Sequence, residues 1–337
     1  MDRKITTLAA IAAIALLAFT AIGAEMASQY EANKDQDVCR AMDRAAGFLV
    51  DVQKPGPDGS PGWSWVVDDG PVSNNVASLA ALALLEAYQT SGQPLYLAAA
   101  RKYGNSLMEK QAQWSADNLP YKPDVQFLAR LSRTTNKSVY MNAAERAFAH
   151  VMSRSPTGSA EVDRILAGRK KTPSLLGFDV ALGIQAALSV GERGYALQMA
   201  DGVLKLEKRW YTPGSNARWS LLSAAALVEA LEKLDAGHFT PVIERYRRTL
   251  TAAQQPNGSW LANETQPSAY ALLALAEGSP AQRGAYQRGI DWLKTTMLKA
   301  GAYATFNDFM PEPFVGRVIS EVHAEALTVL ARACRAQ

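Results

Sequence analysis

The amino-acid sequence predicts an all-α protein with an (α/α)6 toroid fold, in which six outer–inner helix pairs close into a ring. Segments with helical periodicity recur along most of the chain, and the alternation typical of strands is nearly absent. Charged amphipathic segments alternate with Ala/Leu-rich segments that carry few charges. A helix that is apolar nearly all round has to be buried, so the second class is expected inside a ring of the first. An open α-solenoid of helix pairs is the alternative.

Length and charge limit the class of protein. The chain has 337 residues and is 48% hydrophobic, which is enough to bury one large core or two ordinary ones. The net charge of +3 gives little support to a nucleic-acid partner. We therefore expect a globular protein that does not bind nucleic acid.

The N-terminus has the pattern of an export signal. Charged residues at the start precede an apolar run over residues 5–22, and small residues follow around Ala24. We predict a signal peptide over residues 1–24 and a periplasmic or secreted protein. A run of about 18 residues is also the shortest that spans a bilayer, so an uncleaved N-terminal anchor remains open. A flexible lead-in is expected over residues 25–35, and a single toroid domain over residues 36–337.

Two classes of helix alternate along the chain. Residues 245–250 (RYRRTL) are typical of the amphipathic outer class, and residues 78–85 (SLAALALL) of the buried inner class. The outer helices are predicted near residues 36–53, 94–112, 138–153, 192–208, 239–255 and 281–299. The inner helices are predicted near residues 74–90, 123–133, 174–190, 217–234, 266–277 and 316–335.

The connections between helices divide by length into two sets. The turns from an inner to an outer helix are short, as at residues 90–94 and 190–193. In an alternating ring all the long connections emerge on one face, and long loops on a rigid scaffold are where function collects. We therefore predict any functional site on this long-loop face. The long connections are residues 54–73, 113–122, 154–173, 209–216, 256–265 and 300–315.

The only two cysteines lie at opposite ends of the predicted ring. Cys39 begins the first outer helix, and Cys334 ends the last inner helix. Ring closure makes these helices antiparallel neighbours, with both cysteines at the same end. In an exported protein such a pair can form a disulfide that clamps the ring, and two buried free thiols are the alternative.

Gln–Gly–Trp motifs recur at the ends of outer helices. The clearest copy is residues 254–260 (QQPNGSW), and a longer one is residues 48–63. Residues 103–114 form a partial copy, and in residues 292–303 a methionine replaces the glutamine. These motifs resemble the QW-type repeats of the terpenoid cyclase and protein prenyltransferase toroids. The resemblance implies the (α/α)6 fold but no single activity, because that fold hosts cyclases, prenyltransferases, polysaccharide lyases and thioester domains.

Most activities of the resembled superfamily leave motifs that this sequence lacks. Squalene cyclases carry an Asp-x-Asp-Asp acid, whereas residues 66–70 read VVDDG, and the chain has no room for their second helical domain. The zinc ligands of prenyltransferases have no counterpart, because His323 and Cys334 lie about 16 Å apart along one helix. Residues 73–76 (SNNV) are similar to the Asn-Asn-His run of alginate-lyase-like toroids, with valine replacing the histidine. We predict no metal and no cofactor.

Aromatic residues concentrate in or beside the long loops. Aromatic faces suit sugar rings or isoprenoid chains, and the alternative is that repeat tryptophans stack on glutamine and cap helix ends. The second interpretation is favoured for Trp63 and Trp260. The candidate substrate-binding residues are Trp63, Trp65, Asp68, Asp69, Asn75, Trp210, Trp219, Trp260 and Arg317.

Polar residues near the starts of inner helices are the candidate catalytic groups. Asp124, Asp179 and Glu264 could converge on the ring centre as acid and base, although capping of helix N-termini explains the same positions. Arg218 also lies at an inner-helix start, where the helix dipole does not explain a cation. Together with Tyr121 it could serve a lyase, with arginine neutralising a uronate while tyrosine moves the proton.

The sequence therefore predicts an exported toroid protein that acts on carbohydrate, as a polysaccharide lyase or a glycoside hydrolase. An oligo- or polysaccharide is the expected ligand, and no membrane contact is expected beyond an N-terminal anchor. A non-catalytic toroid that binds a glycan, a lipid or a protein is the alternative. A terpenoid-cyclase-like enzyme without the usual acid motif is a third, less favoured interpretation.

Overall fold

The structure is a computed structural model that describes residues 37–114, 120–153, 165, 167, 175–212, 217–305, 308 and 313–337. Helices dominate this part of the chain, as the periodicity predicts. A single two-stranded antiparallel sheet pairs β1 (Lys54–Pro55) with β2 (Pro61–Gly62) in the first long loop. None of the described helices is long and apolar enough to cross a membrane.

The helices form six outer–inner pairs. One long element, α9 (Arg218–Ala252), contains the inner helix of one pair and the outer helix of the next, divided by a kink at Asp235. The outer helices are α1 (Val38–Asp51), α3 (Pro94–Glu109), α5 (Ser138–Ser153), α7 (Arg193–Lys205), residues 236–252 of α9, and α11 (Pro280–Thr296). The inner helices are α2 (Asn74–Ser91), α4 (Lys122–Thr135), α6 (Leu176–Ser189), residues 218–234 of α9, α10 (Thr265–Leu275) and α12 (Ser320–Arg335). The short helix α8 (Glu207–Trp210) follows α7.

The ring is closed. Each inner helix packs against the next one, and α12 packs against both α1 and α2. The closed toroid is therefore confirmed over the open solenoid. The inner helices start on the long-loop face and end on the opposite face, which we call the short-loop face.

Three sets of contacts join the last helix pair to the first. The predicted disulfide between Cys39 and Cys334 is present, with Cα atoms 4.9 Å apart. The His323 ring nitrogen Nε2 lies 2.9 Å from the Ala45 carbonyl oxygen. The first long loop also pairs with the start of α12, since the Ser320 amide donates to the Trp65 carbonyl. We call this junction between the last and the first helix pair the seam. A disulfide, a buried polar contact and a contact between a loop and a helix together close it.

Aromatic side chains that follow four of the outer helices cap the C-terminal ends of those helices. The last carbonyls of a helix have no partner within it, and a side-chain donor can satisfy one of them. In each case the acceptor is the third or fourth residue from the helix end. The bonds are Trp63 to Leu49 (2.8 Å), Trp210 to Val203 (3.1 Å), Trp260 to Leu250 (2.8 Å) and Tyr303 to Leu293 (3.1 Å).

The glutamines of the repeats join each outer helix to the next. Each amide makes a hydrogen bond to the following outer helix, so the motif links neighbouring pairs. The bonds are Gln53 to the Ala99 carbonyl (3.0 Å), Gln254 to the Ala285 carbonyl (2.7 Å), and Arg146 to the Gln111 amide oxygen (3.0 Å). Gly258 has a φ of 97°, and a Cβ there would lie 2.3 Å from the Arg288 carbonyl oxygen, so only glycine fits.

Candidate functional site

The long-loop face carries a cluster of polar side chains at the starts of three inner helices. We define the carboxyl cluster as Glu264, Asp308, Glu321 and Glu325 together with Arg218, Gln266 and Tyr270. Its members come from α9, α10, α12 and the last long loop. Residues on a buried inner helix are brought together by ring closure, so the cluster exists only in the assembled toroid.

Arg218 connects two of the inner helices within the carboxyl cluster. Its guanidinium forms an ion pair with Glu264 and donates from Nη2 to the Gln266 side-chain oxygen at 3.2 Å. It also lies over the Trp219 ring, 4.9 Å from the centroid. Burial lowers the pKa of Arg218, while Asp308 and Glu325 raise it. The single cation of the cluster is therefore held by several acidic neighbours.

Gln266 is the centre of the hydrogen bonds in the cluster. Its side-chain Nε2 donates to Glu325 Oε1 at 3.2 Å, and its backbone N–H donates to Asp308 Oδ1 at 3.0 Å. A residue in the first turn of a helix has a backbone N–H without an intrahelical partner, and Asp308 satisfies this one. Gln266 thereby holds two carboxyl groups at fixed positions on either side of it.

Three carboxyl groups of the cluster have raised pKa values. Burial raises the pKa of Glu325 well above its usual value, the charge of Glu321 adds to this, and hydrogen bonds from Gln266 and Tyr270 oppose it. Burial also raises the pKa of Asp308, against the Gln266 amide and the Arg218 charge. Burial raises the pKa of Glu321, against a hydrogen bond from Trp65. Such a group of mutually repelling acids is typical of functional sites.

An aromatic pocket adjoins the carboxyl cluster. Trp65 and Phe314 pack edge to face with centroids 5.1 Å apart, and they line a cavity of about 420 Å³ together with Asp69. Arg317 lies 3.8 Å from the Asp69 carboxylate. Because the Trp65 side chain also bonds to Glu321, the pocket and the cluster share one wall. The pocket has the size of a small-ligand site and an aromatic wall that suits a sugar ring.

The structure brings together several of the residues predicted from sequence. Arg218 and Glu264 are in contact, and Trp219 lies beneath the Arg218 guanidinium. The residues Trp65, Asp69 and Arg317 lie in or beside the aromatic pocket.

Asp124 and Tyr121 form a separate group. Asp124 is fully buried, accepts the Tyr121 backbone N–H at 2.6 Å, and accepts hydrogen bonds from the hydroxyls of Ser78 and Tyr103. Burial raises its pKa to about 6, and these hydrogen bonds oppose the shift. With each carboxylate oxygen bonded inside the protein, Asp124 is accounted for as the cap of α4.

The other predicted residues lie apart from the carboxyl cluster. Asp179 is half exposed and pairs with Lys122 at 2.7 Å, and Asp68 is exposed to solvent. The side chain of Asn75 lies outside the described part of the structure. The three capping tryptophans are buried, at 0%, 3% and 0% exposure, which leaves no surface for a ligand in this conformation: Trp63, Trp210 and Trp260.

Sequence reasoning missed most of the acids in the carboxyl cluster. Glu321 and Glu325 are four residues apart on an inner helix that is otherwise rich in Ala, Val and Leu. An acid on a buried helix is costly unless it is paired or functional, and that pattern could have identified both residues. Asp308 has no such signal, because only the fold of the last long loop brings it to Gln266.

Within the described residues, no group of three or more His, Cys, Asp or Glu side chains could hold a metal ion. Glu264 pairs instead with Arg218, and Asp308 and Glu325 each accept a hydrogen bond from Gln266.

Comparisons with known proteins support the fold. No protein-family model matches the sequence, and no curated protein sequence matches it. An α-1,6-mannanase of Salegentibacter sp. HEL1_6 has a similar structure, with a TM-score of 0.62, 10% identity, and coverage of 89% of this chain and 99% of that chain. An inactive variant of that mannanase, with two aspartates replaced, has been solved with α-1,6-mannotetrose bound.

Two other kinds of enzyme are similarly close in structure. A type II terpene cyclase from Scytonema has a TM-score of 0.60 at 15% identity and covers 88% of this chain and 97% of that one. An unsaturated glucuronyl hydrolase specific for heparin has a TM-score of 0.60 at 10% identity, over 89% of this chain and 96% of that one. At these identities the likeness establishes the (α/α)6 toroid fold and leaves the reaction to the site itself.

Proposed function

We propose that this protein is a glycoside hydrolase that acts on a neutral oligo- or polysaccharide at the carboxyl cluster. The observation that carries the proposal is the group of buried carboxyls with raised pKa values beside the Trp65–Phe314 pocket. Glycoside hydrolysis needs a protonated acid and an ionised carboxylate at one sugar, with an aromatic surface to position the ring.

Glu325 is the general acid in this proposal. Its raised pKa favours the protonated carboxyl group, which can donate its proton to the glycosidic oxygen as the bond to the sugar breaks. Gln266 orients the carboxyl through its side-chain hydrogen bond, and Tyr270 lies close enough to oppose the rise in the pKa of Glu325. Tyr270 is itself held edge to face against Phe178, 5.3 Å away.

Asp308 is the second carboxylate. The Gln266 backbone N–H and the nearby Arg218 charge favour its ionised form against burial, which separates its pKa from that of Glu325. An ionised carboxylate next to a protonated one can either attack the anomeric carbon or take a proton from the attacking water. The ionised form of Glu321 would raise the pKa of Glu325 further by like charge.

The charge of the site favours a neutral glycan over a uronate. A lyase needs cations to neutralise the uronate carboxylate, whereas the cluster has four acids and one arginine that is already paired with Glu264. Burial raises the pKa of Tyr270 well above its usual value, so this hydroxyl is a poor base. The lyase form of the carbohydrate hypothesis is therefore less favoured than the hydrolase form.

The charged wall of the central cavity argues against a terpenoid cyclase. The matched terpene cyclase covers this chain almost end to end, so chain length does not speak against that activity. The central cavity, however, carries the charged residues Glu86, Arg130 and Arg332 on its wall beside several leucines. A long apolar substrate needs a drier cavity than this one.

Export supports a substrate outside the cytoplasm. The apolar run over residues 5–22 has the pattern of a signal peptide, and disulfides such as Cys39–Cys334 persist in oxidising compartments. We therefore propose a periplasmic or secreted enzyme that meets polysaccharides or their fragments there.

The test compares wild type with Glu325→Gln and Asp308→Asn on a panel of neutral oligosaccharides, with new reducing ends as the readout. Each variant should lower kcat by about 10²–10⁴-fold, because each removes one proton-transfer or nucleophilic group. Glu145→Gln is the matched control, since Glu145 is exposed on the outer helix α5 and should leave kcat unchanged.

Thermal unfolding separates catalysis from folding in the same variants. Glu325→Gln removes a buried carboxyl whose ionisation is unfavourable, so its melting temperature should equal or exceed that of wild type. Binding of a glycan without turnover would support the non-catalytic alternative. Formation of an unsaturated product from an anionic polysaccharide, detected by its ultraviolet absorption, would replace the hydrolase by a lyase.

A further inference from the structure

The short-loop face contains a second cavity, at the opposite ends of the inner helices from the carboxyl cluster and adjoining the central cavity. It has a volume of about 480 Å³ and opens among the C-terminal ends of α2, α4, α6 and the inner part of α9. We call it the basic cavity, because its charged lining residues are all cationic. These residues are Arg130, Arg133 and Lys233, and the amides of Gln89, Gln126 and Gln185 line it with them.

Fewer carboxylates than cationic side chains lie around the basic cavity. Glu86 pairs with Arg130 at 2.5 Å, and it also accepts from Arg332 and Arg335 at 3.4 and 2.9 Å. Glu229 pairs with Lys233 and with Arg332, both at 2.7 Å. Four cationic side chains therefore share two buried carboxylates, and Arg133 adds a fifth positive charge.

Arg133 lies at the mouth of the basic cavity. Its Nη1 donates to the Ser189 carbonyl at 3.1 Å, at the end of α6. Burial lowers the pKa of Arg133, and the like charge of Arg130 lowers it further. Two arginines thus converge on the same space with a surplus of positive charge.

The helix dipole explains only part of this arrangement. A cation in the last turn of an inner helix is favoured by the partial negative charge of the helix end, and Arg133 occupies such a position in α4. The dipole does not require cations from α4 and α9 to face one cavity, nor a cavity large enough for a ligand. A bound anion would account for both features.

We propose that the basic cavity binds a phosphate group, held by Arg133, Lys233 and the amides beside them. An arginine fork and a lysine ammonium are the usual donors to phosphate oxygens. This site lies at the opposite ends of the inner helices from the proposed hydrolase site and would serve attachment or regulation rather than the cleavage of a glycan.

The surface around the basic cavity points to a source for the phosphate group. Three of the four large apolar side chains exposed in the described part of the chain lie on this face, near the starts of successive outer helices. They are Leu95 in α3, Val139 in α5 and Tyr195 in α7, with 67%, 49% and 39% exposure. Apolar side chains beside a basic site suit the headgroup region of an anionic bilayer, whereas a soluble phosphate needs the basic cavity alone.

The first experiment is calorimetric titration of the full chain with inorganic phosphate and with pyrophosphate. Wild type should bind, and Arg133→Gln should weaken binding by about tenfold, which corresponds to one lost charged hydrogen bond. Arg40→Gln is the matched control, because Arg40 is exposed on the same face at the start of α1 and does not line the basic cavity. Its affinity should equal that of wild type.

The second experiment distinguishes a lipid from a free anion. Co-sedimentation compares vesicles of phosphatidylcholine alone with vesicles that also contain phosphatidylglycerol, so that the apolar N-terminal run contributes equally to both. A preference for the anionic vesicles that falls in Arg133→Gln, and falls again when Leu95, Val139 and Tyr195 are replaced by serine, assigns the phosphate to a lipid. Phosphate binding without a vesicle preference assigns it to a soluble ligand.

Two results would overturn the phosphate site. One is the absence of both phosphate binding and a preference for anionic vesicles in wild type. The other is equal weakening by Arg133→Gln and Arg40→Gln, which would mean that only the general charge of the face matters. Glycan hydrolysis is measured independently and should be unchanged in Arg133→Gln, so failure of one proposal leaves the other intact.

Discussion

Buried titratable side chains serve two different purposes in this protein. Asp124 is surrounded by donors, so its burial stabilises the start of α4. Burial and the charges of Glu321 and Asp308 instead raise the pKa of Glu325. His323 belongs to the first kind, because its ring packs against Phe48 and bonds to the Ala45 carbonyl at the ring seam. Residues of the first kind hold the fold, whereas the second kind retains an unfavourable environment, which is expected at a functional site.

His323 should make the stability of the ring depend on pH. Burial lowers its pKa from 6.5 to about 4, so the folded state prefers the neutral ring. The stabilisation of the folded state by neutral His323 is complete above pH 6.5. It is lost as the pH falls towards 4, which lowers the free energy of unfolding by about 3 kcal/mol. Denaturant unfolding at a series of pH values should show that His323→Gln, which can keep the bond to Ala45, loses less stability across this window than wild type.

His238→Gln is the control for this measurement. His238 is exposed, so its replacement should leave the pH dependence of wild type in place. A His323→Gln profile parallel to that of wild type would mean that other groups cause the acid destabilisation.

At the scale of the element, the repeat motif connects one outer helix to the next. One aromatic side chain caps the end of an outer helix, and one glutamine bonds to the next outer helix. The same cap recurs in the degenerate copy, where the Tyr303 hydroxyl replaces an indole N–H. Conserving the donor while changing the ring shows that the hydrogen bond to the helix end is the function of this position.

Tyr303→Phe tests the capping hydrogen bond from the Tyr303 hydroxyl to the Leu293 carbonyl. The substitution keeps the ring and leaves the buried Leu293 carbonyl without its donor, so the free energy of unfolding should fall by about 1–2 kcal/mol. Equilibrium unfolding in urea measures the change. Tyr195→Phe removes an exposed hydroxyl and should change stability by less than about 0.5 kcal/mol; equal losses in the two variants would contradict the capping role.

At the scale of the whole molecule, the two ends of the inner helices carry different polar groups. The long-loop face collects the carboxyl cluster at the starts of inner helices, and the short-loop face collects the basic cavity at their ends. The central cavity lies between them, because its wall includes Glu325 of the carboxyl cluster and Arg130 and Lys233 of the basic cavity. The ring therefore presents two chemically distinct ends of one charged interior.

The disulfide should stabilise the ring as a whole. Cys39 and Cys334 are 295 residues apart in sequence, and the entropic model assigns a loop of this length on the order of 5 kcal/mol. Reduction should lower the melting temperature, and the double variant Cys39→Ser with Cys334→Ser should melt at the reduced temperature with or without reductant. Non-reducing mass mapping that finds both thiols free would remove the disulfide, and a melting temperature insensitive to reductant would leave closure to the noncovalent seam.

Much of the architecture could be predicted because it depends on local pattern. The alternation of amphipathic and Ala/Leu-rich segments predicts the six pairs, and most helix ends fall within a few residues of the expected positions. The main difference is α9, where two predicted helices join across a kink at Asp235, whose carboxylate accepts the His238 amide at 3.1 Å. Asp235 caps the second helix from within the kink, so no loop separates the two helices. The sequence therefore carries no loop signal at this boundary.

The candidate site was predicted only in part, for a physical reason. Arg218 and Glu264 were identified because they lie at the starts of inner helices, and Trp65 because it lies in a long loop. The acids Glu321, Glu325 and Asp308 acquire their properties from neighbours on other helices, since burial and like charge raise their pKa values only after the ring has closed. The sequence by itself determined the helices, their pairing and the face that carries the site. The tertiary structure alone decided which side chains meet there, because contacts between residues distant in sequence depend on ring closure.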